Sequence, residues 1–109
     1  MRYFVSYTLQ DGFLNKYILS QLSTFINKYG QSFIDCLNNE SLNKQGRIVD
    51  EIINCDCFIL LLTPKTKNSI WVQKEINIAK EYNKQIIQVS AYRGIDYIFL
   101  QNELLAFLY

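Results

Sequence analysis

Apolar residues recur along the chain with two spacings, and the two spacings alternate. Short runs rich in β-branched and aromatic residues predict strands, while longer stretches with apolar residues three or four positions apart predict helices. The predicted strands are residues 3–7, 31–35, 57–62 and 85–89, and the predicted helices run from Asp11, as N-cap, to about 29, from 44 to 54 and from 70 to 83. This alternation is typical of an α/β fold with an open, mainly parallel sheet and helices on both faces.

The third strand is expected at the centre of the sheet. Phe58–Leu62 is apolar without a break, which indicates a strand buried on both faces, and Pro64 ends it. Two other segments are less regular. Cys36–Asn43 is polar and Asn-rich and is predicted to form a loop, and the tail holds either a fifth strand or a loop over 95–100 before a short helix over 102–108. The sheet is therefore expected to have four to five strands.

The composition indicates one folded domain over residues 1–109, because the chain is 50% hydrophobic and too short for two domains. Lys and Arg total 11 against 10 for Asp and Glu, so the net charge of +1 gives no general attraction to nucleic acid or to a membrane surface. The chain has no His, which excludes His-based triads and His zinc ligands.

The three cysteines do not indicate a disulfide framework, since their number is odd. Cys55 and Cys57 form a C-x-C pair and are interpreted as small core residues rather than as a redox or metal site. No signal-peptide pattern precedes the first strand, and the longest apolar run is far shorter than the ~20 residues that cross a bilayer. The sequence therefore predicts a cytoplasmic protein without a bound metal.

Ligands of open parallel sheets bind beyond the carboxyl ends of the strands. In this chain those ends are followed by the segments Ser6–Asp11, Asp35–Asn43 and Thr63–Ser69. No glycine-rich phosphate loop is present, which disfavours ordinary dinucleotide-binding and P-loop folds. A receiver domain is disfavoured as well, because the central strand is followed by Thr and Pro instead of a phosphoacceptor Asp.

Glu75 is the main candidate for chemistry at this edge. On a helix it shares one stripe with Trp71, next to the apolar stripe that faces the core. A carboxylate in that position can accept hydrogen bonds from sugar hydroxyls and can stabilise positive charge that develops on a sugar ring. The alternative is a solvated helix Glu that pairs with Lys74 or Lys80.

Five segments in chain order resemble the motifs of bacterial TIR (Toll/interleukin-1 receptor-like) domains. The family has F-[IV]-S-Y in its first strand, an Asp at the end of the second, [LV]-[ST]-P after the central strand, W-V-x-x-E-[IL] on the next helix and K-x-[IV]-[IV]-x-[VI] in the strand that follows. The matching segments are Phe4–Tyr7, Ser32–Asp35, Ile59–Pro64, Ser69–Ile76 and Lys84–Val89. The resemblance implies a flavodoxin-like TIR fold, similar to the standalone TIR proteins of Thoeris-like antiphage systems.

The resemblance also implies an activity. In catalytic TIR domains the Glu of W-V-x-x-E, here Glu75, is essential for cleaving the bond between nicotinamide and ribose in NAD, which is a substrate and not a cofactor. The mobile loop of the family corresponds to Cys36–Lys44, with an acidic residue at Glu40. The residues expected to bind substrate are Ser6, Tyr7, Thr8, Asp11, Glu40, Ser41, Lys44 and Trp71.

The fate of the ribosyl cation and the partners stay open at this point. Water, the adenine of the same molecule or another nucleophile could capture the cation, giving linear, cyclic or conjugated ADP-ribose. The family implies self-association through TIR–TIR contacts, for which the Asn-rich face of Asn38–Asn43 suits polar, reversible contacts, and a separate effector protein that senses the product. A non-enzymatic TIR adaptor is the competing interpretation, and an inactive nucleotide-binding module is the third.

Overall fold

One parallel sheet forms the centre of the computed structural model, which describes residues 1–108. Its strands are β1 (Arg2–Ser6), β2 (Gln31–Ile34), β3 (Cys57–Leu62) and β4 (Gln85–Ser90), in the order β2-β1-β3-β4. Val5 of β1 pairs with Ile34 on one side and with Ile59 on the other. The prediction that the first strand lies beside both the second and the third is therefore confirmed, and the strand order is that of a flavodoxin-like α/β fold.

Helices cover both faces of the sheet, as predicted. The helices of the described residues are α1 (Lys16–Ile26), α2 (Asp35–Asn38), α3 (Lys44–Asn54), α4 (Ile70–Glu81) and α5 (Tyr97–Leu108). Helices α1 and α5 pack on one face against alternate residues of the strands, among them Val5, Ile59 and Val89. Helices α3 and α4 pack on the other face against Phe4 and Phe58, so the sheet has an apolar core on each side.

The central strand β3 is buried on both faces. Phe58 stacks on Phe4 with a ring-centroid distance of 5.4 Å on the α3/α4 face, while Ile59 and Leu61 are fully buried on the α1/α5 face. Alternate residues of a strand point to opposite faces, so a strand between two helical layers must be apolar throughout. The unbroken apolar run is explained by this position.

The first helix is shorter than predicted at both ends. It begins after Asn15, whose Oδ1 accepts a 2.9 Å hydrogen bond from the backbone N–H of Ile18, and it ends at Ile26. Asp11 is therefore not its N-cap; its carboxylate instead accepts a 2.8 Å hydrogen bond from the backbone N–H of Lys65. The apolar spacing could not separate the two candidate caps, because Phe13 fits the helical pattern but lies before the helix.

Two further boundaries differ from the prediction. The segment predicted as a loop from Cys36 begins with the short helix α2, in which Asn38 Oδ1 accepts a 2.8 Å hydrogen bond from the backbone N–H of Ile34. The tail has no fifth strand within residues 1–108, since 97–108 is the single helix α5. Among the helices of the described part of the chain, none combines the length and the apolar character that crossing a membrane requires.

Candidate active site

Helix α4 brings its first turns against the carboxyl end of β1. Ser69 caps the helix by accepting a 3.3 Å hydrogen bond from the backbone N–H of Val72, and Val72 and Ala79 anchor the helix in the core. One turn further along, the carboxylate of Glu75 accepts a 2.7 Å hydrogen bond from the hydroxyl of Ser6, the last residue of β1. This placement agrees with the expectation that Glu75 lies at the ligand-binding edge.

Glu75 is largely enclosed, in contrast to a solvated helix Glu. Burial raises the pKa of its carboxyl group to about 7, the hydrogen bond from Ser6 acts to lower that pKa, and the negative charge of Asp35 acts to raise it. Neither Lys74 nor Lys80 forms an ion pair with Glu75 among the described residues. The carboxylate is therefore largely desolvated, with a hydrogen bond from Ser6 and no cation to neutralise it among the described residues.

A cleft of about 340 Å³ opens over this carboxylate, a volume within the range of small-molecule sites. Trp71 stands at its rim with 54% of its surface exposed, on the same helix face as Glu75. The side chains that line the cleft come from β1, the segments after β1 and β2, and helices α3 and α4: Phe4, Val5, Tyr7, Leu9, Asp35, Cys36, Gln45, Ile48, Trp71 and Glu75.

Hydrogen bonds fix the cleft wall that is formed by the residues after β2. The phenol oxygen of Tyr7 accepts a 3.0 Å hydrogen bond from the backbone N–H of Cys36, and burial raises the pKa of that phenol. Asp35 Oδ1 accepts a 2.7 Å hydrogen bond from the side-chain amide of Asn39, which is buried. The first strand therefore positions the start of α2 directly, across 29 residues of sequence.

The structure brings together four of the residues predicted from the sequence. Tyr7, Trp71 and Glu75 line the cleft, and Ser6 lies behind Glu75 as its hydrogen-bond donor. The other five do not line it: Thr8, Asp11, Glu40, Ser41 and Lys44. Their role in binding substrate stays a prediction.

Three of these five residues form local hydrogen bonds. Thr8 is buried, and its hydroxyl accepts a 3.3 Å hydrogen bond from the backbone N–H of Gln10. Lys44 Nζ donates to the backbone carbonyl of Asn39 at 2.9 Å, and the hydroxyl of Ser41 donates to the carbonyl of Asn43 at 3.3 Å. These bonds, like that of Asp11 to Lys65, stabilise the loops around the cleft.

Apart from three residues of the hydrophobic core, sequence reasoning missed four residues that line the cleft. Leu9, Asp35, Cys36 and Gln45 were not among the candidates, although Asp35 ends a predicted strand at the ligand-binding edge and Cys36 follows it. That position was the available signal for both residues. Gln45 carried no signal, because its place in the cleft depends on how α3 packs against the sheet.

Two other cavities lie outside this cleft. One of about 510 Å³ is lined largely by apolar residues, including Leu60, Leu62, Pro64, Ile76 and Tyr92. The other, of about 210 Å³, contains Glu51, which forms ion pairs with Arg2 at 3.0 Å and Arg47 at 2.9 Å. Neither offers an unpaired carboxylate. Within residues 1–108 no cluster of three His, Cys, Asp or Glu side chains is placed to bind a metal ion.

The fold agrees with the comparison to known families. The family model for the TIR-like domain of Thoeris protein ThsB matches residues 4–93, and the chain therefore belongs to this family. No curated protein sequence matches the chain. Among solved structures, the CMP N-glycosidase BcmB of Clostridium botulinum is similar, with a TM-score of 0.59 and 23% identity over 97% of this chain and 82% of that one. At that identity the likeness shows the shared fold.

Proposed function

We propose that this protein is a glycosidase-type enzyme of antiphage defence that breaks the bond between nicotinamide and ribose in NAD. The observation that carries the proposal is the partly buried carboxylate of Glu75, held by Ser6 at the base of a cleft that Trp71 borders. The family, and the N-glycosidase activity named for the structural neighbour BcmB, support cleavage of an N-glycosidic bond.

The chemistry of the substrate fits a site with a carboxylate and no imidazole. Nicotinamide in NAD carries a positive charge on the ring nitrogen that bonds to the ribose, so it leaves as a neutral molecule without a general acid. The bond between this nitrogen and C1′ of the ribose breaks, and its electron pair stays with nicotinamide. The enzyme must then stabilise an oxocarbenium-like ribose, which is the role we give to the charge of Glu75.

Glu75 has a second role in this mechanism, which is to orient the ribose. Its hydrogen bond from Ser6 occupies part of the hydrogen-bonding capacity of one oxygen, Oε1, and leaves the other oxygen to accept from ribose hydroxyls. Trp71 supplies an aromatic surface at the cleft rim on which the nicotinamide ring can stack. Tyr7 holds the opposite wall through Cys36, so the cleft keeps its width.

The product follows from what attacks C1′. Water adds its oxygen there and releases one proton to solvent, which gives ADP-ribose. Attack by the adenine of the same molecule gives a cyclic isomer. We propose that this reaction takes place in the cytoplasm, that an ADP-ribose derivative is the signal, and that a separate effector protein senses this signal.

A non-enzymatic adaptor is the second candidate, and one observation favours it. Leu42 is fully exposed, at 107% of its reference area, in the segment between α2 and α3. An apolar side chain presented in this way suits contact with another copy of the chain. Self-association is compatible with both functions, so it does not decide between them.

The deciding experiment is the release of nicotinamide from NAD, measured by chromatography with mass spectrometry of the products. Wild type is compared with Glu75→Gln and with Glu81→Gln, a control that removes an exposed carboxylate from the end of the same helix. Release by wild type and Glu81→Gln, with loss in Glu75→Gln, supports the enzyme. No release by wild type at any protein concentration favours the adaptor.

A further inference from the structure

The cleft over Glu75 is negative and has no positive charge in its lining. It contains two carboxylates, Asp35 and Glu75, and no Lys or Arg among the described residues that line it. Two lysines lie on neighbouring segments. Lys44 Nζ binds the carbonyl of Asn39, and Lys74 Nζ, which is not part of the lining, lies 4.7 Å from the ring centroid of Trp71 and so occupies one face of that ring at the rim. The lining therefore offers no direct partner for a phosphate.

This charge distribution favours one part of a nucleotide over another. Phosphate groups are repelled by two carboxylates in a half-enclosed space, whereas a cationic ring is attracted by both, and a partly buried site weakens that attraction less than bulk water does. The face of Trp71 that Lys74 leaves open can add a cation–π contribution. A neutral base such as cytosine gains from neither effect.

The two carboxylates differ in their partners. Glu75 is bonded to Ser6, and its charge is assigned to the ribose in the proposed mechanism. Asp35 is held by Asn39 at the cleft wall, where its charge acts on the cleft and contacts no cation among the described residues. Its position is fixed, since Asn39 is buried and also donates to the carbonyl of Lys44 at 3.1 Å.

We propose that Asp35 is the specificity-determining residue of the cleft, and that it selects a positively charged aromatic ring of the N-alkylpyridinium class over the neutral form of the same ring. The inference rests on the proposed function, because it concerns the group that leaves in that reaction. The inference also goes beyond that function, because it distinguishes the leaving group that this cleft selects from a neutral pyrimidine such as that of CMP.

The test uses two small probes that need no cleavage. The 1-methylnicotinamide cation and neutral nicotinamide have nearly the same shape and differ in charge. Trp71 is the one tryptophan of the chain and stands at the cleft rim, so quenching of its fluorescence reports binding of either probe. Measurements at pH 8 keep Glu75 ionised, because its pKa lies at about 7.

Wild type is expected to bind the cation about tenfold more tightly than nicotinamide, a preference of about 1.4 kcal/mol. In Asp35→Asn the preference is expected to fall to about twofold, because the amide oxygen can still accept from Asn39 while the charge is lost. The control Asp50→Asn removes an exposed carboxylate from α3, outside the cleft, and is expected to keep the wild-type preference.

Equal binding of the two probes by wild type, or an unchanged preference in Asp35→Asn, overturns the inference. Should Asp35→Asn fail to fold, Asp35→Ser takes its place, because the Ser hydroxyl carries no charge and can also accept a hydrogen bond from Asn39; an unchanged preference in that variant overturns the inference. The result is separable from the proposed function. NAD cleavage without a charge preference retains the enzyme and rejects the role of Asp35, whereas a preference without cleavage does the reverse.

Discussion

The hydroxyl of Ser6 donates a 2.7 Å hydrogen bond to the carboxylate of Glu75, across 69 residues of sequence. Ser6 is completely buried at the end of β1, so this bond joins the sheet to helix α4 below the cleft. Burial raises the pKa of Glu75 and the bond from Ser6 opposes that rise. Ionisation of this carboxyl group is therefore unfavourable, and the resulting charge faces the cleft.

The first prediction concerns the stability of Glu75→Gln. A carboxyl whose pKa is raised from 4.5 to about 7 on folding binds its proton more tightly in the folded state. The free energy of unfolding therefore falls as the pH rises from about 4.5 through 7, by about 3 kcal/mol from this group. Glu75→Gln removes this pH-dependent loss of stability. The variant should therefore be more stable than wild type at pH 8 and similar to it near pH 4.

The same variant should lose nicotinamide release by about 10²–10³-fold or more at pH 8, because the amide cannot stabilise a developing cation. Urea unfolding at both pH values and the rate of nicotinamide release check the two halves of the prediction. The exposed control Glu81→Gln should change stability by no more than about 0.5 kcal/mol and leave the rate unchanged. A Glu75→Gln protein that is active, or less stable than wild type at pH 8, contradicts the assigned role.

A second prediction concerns the pH profile of kcat/KM. Since the reaction needs ionised Glu75, the rate should rise with pH to a plateau, with an apparent pKa near 7. Ser6→Ala removes a donor that favours the charged form and should move the profile to higher pH. Asp35→Asn removes a neighbouring negative charge and should move it to lower pH, so the two shifts have opposite signs.

Nicotinamide release between pH 5 and 9 measures these shifts, with Asp50→Asn as the control that should leave the profile in place. Shifts of the same sign in Ser6→Ala and Asp35→Asn would show that the profile reports some group other than Glu75.

The sequence predicted the parts of the fold that depend on local pattern. The unbroken apolar run of β3 and the stripe that pairs Trp71 with Glu75 both follow from periodicity, and the structure agrees with them. The sequence could not predict Gln45 as part of the cleft, because the place of Gln45 depends on how α3 packs on the sheet. Asp11 was misread for a related reason: an Asp can cap a helix or bind a distant loop, and only the tertiary contact with Lys65 decides.

A third prediction concerns Trp71→Ala. Because 54% of the side chain is exposed and Trp71 belongs to neither core cluster, the substitution should cost less than about 1 kcal/mol of stability. Loss of the aromatic surface should raise KM for NAD by about tenfold, while Trp71→Phe should retain most of the affinity. The rates of nicotinamide release at several NAD concentrations measure this. Tyr82→Ala removes another half-exposed aromatic, just after α4 and outside the cleft, and its KM should match wild type.

The last prediction concerns assembly, and the structure changes its physical basis. The Asn-rich segment was expected to offer polar contacts, but Asn38 binds the backbone of Ile34, Asn43 caps α3 through Gly46, and Asn39 is buried. Among the large apolar side chains of this segment, Leu42 is fully exposed to solvent. If the active form is assembled through this segment, an apolar contact at Leu42 must supply much of the association energy.

Specific activity should then rise with protein concentration, and Leu42→Ser should move that rise to a concentration about tenfold higher, since burial of one Leu side chain contributes about 1.5–3 kcal/mol. Ile98→Ser is the matched control, because Ile98 is an exposed apolar residue on α5, outside this segment. Activity measured over a wide dilution series, together with light scattering, distinguishes the outcomes. Constant specific activity of a monomeric wild type would mean that each chain forms a complete site, and the Ser6–Glu75 pair would then need no second subunit.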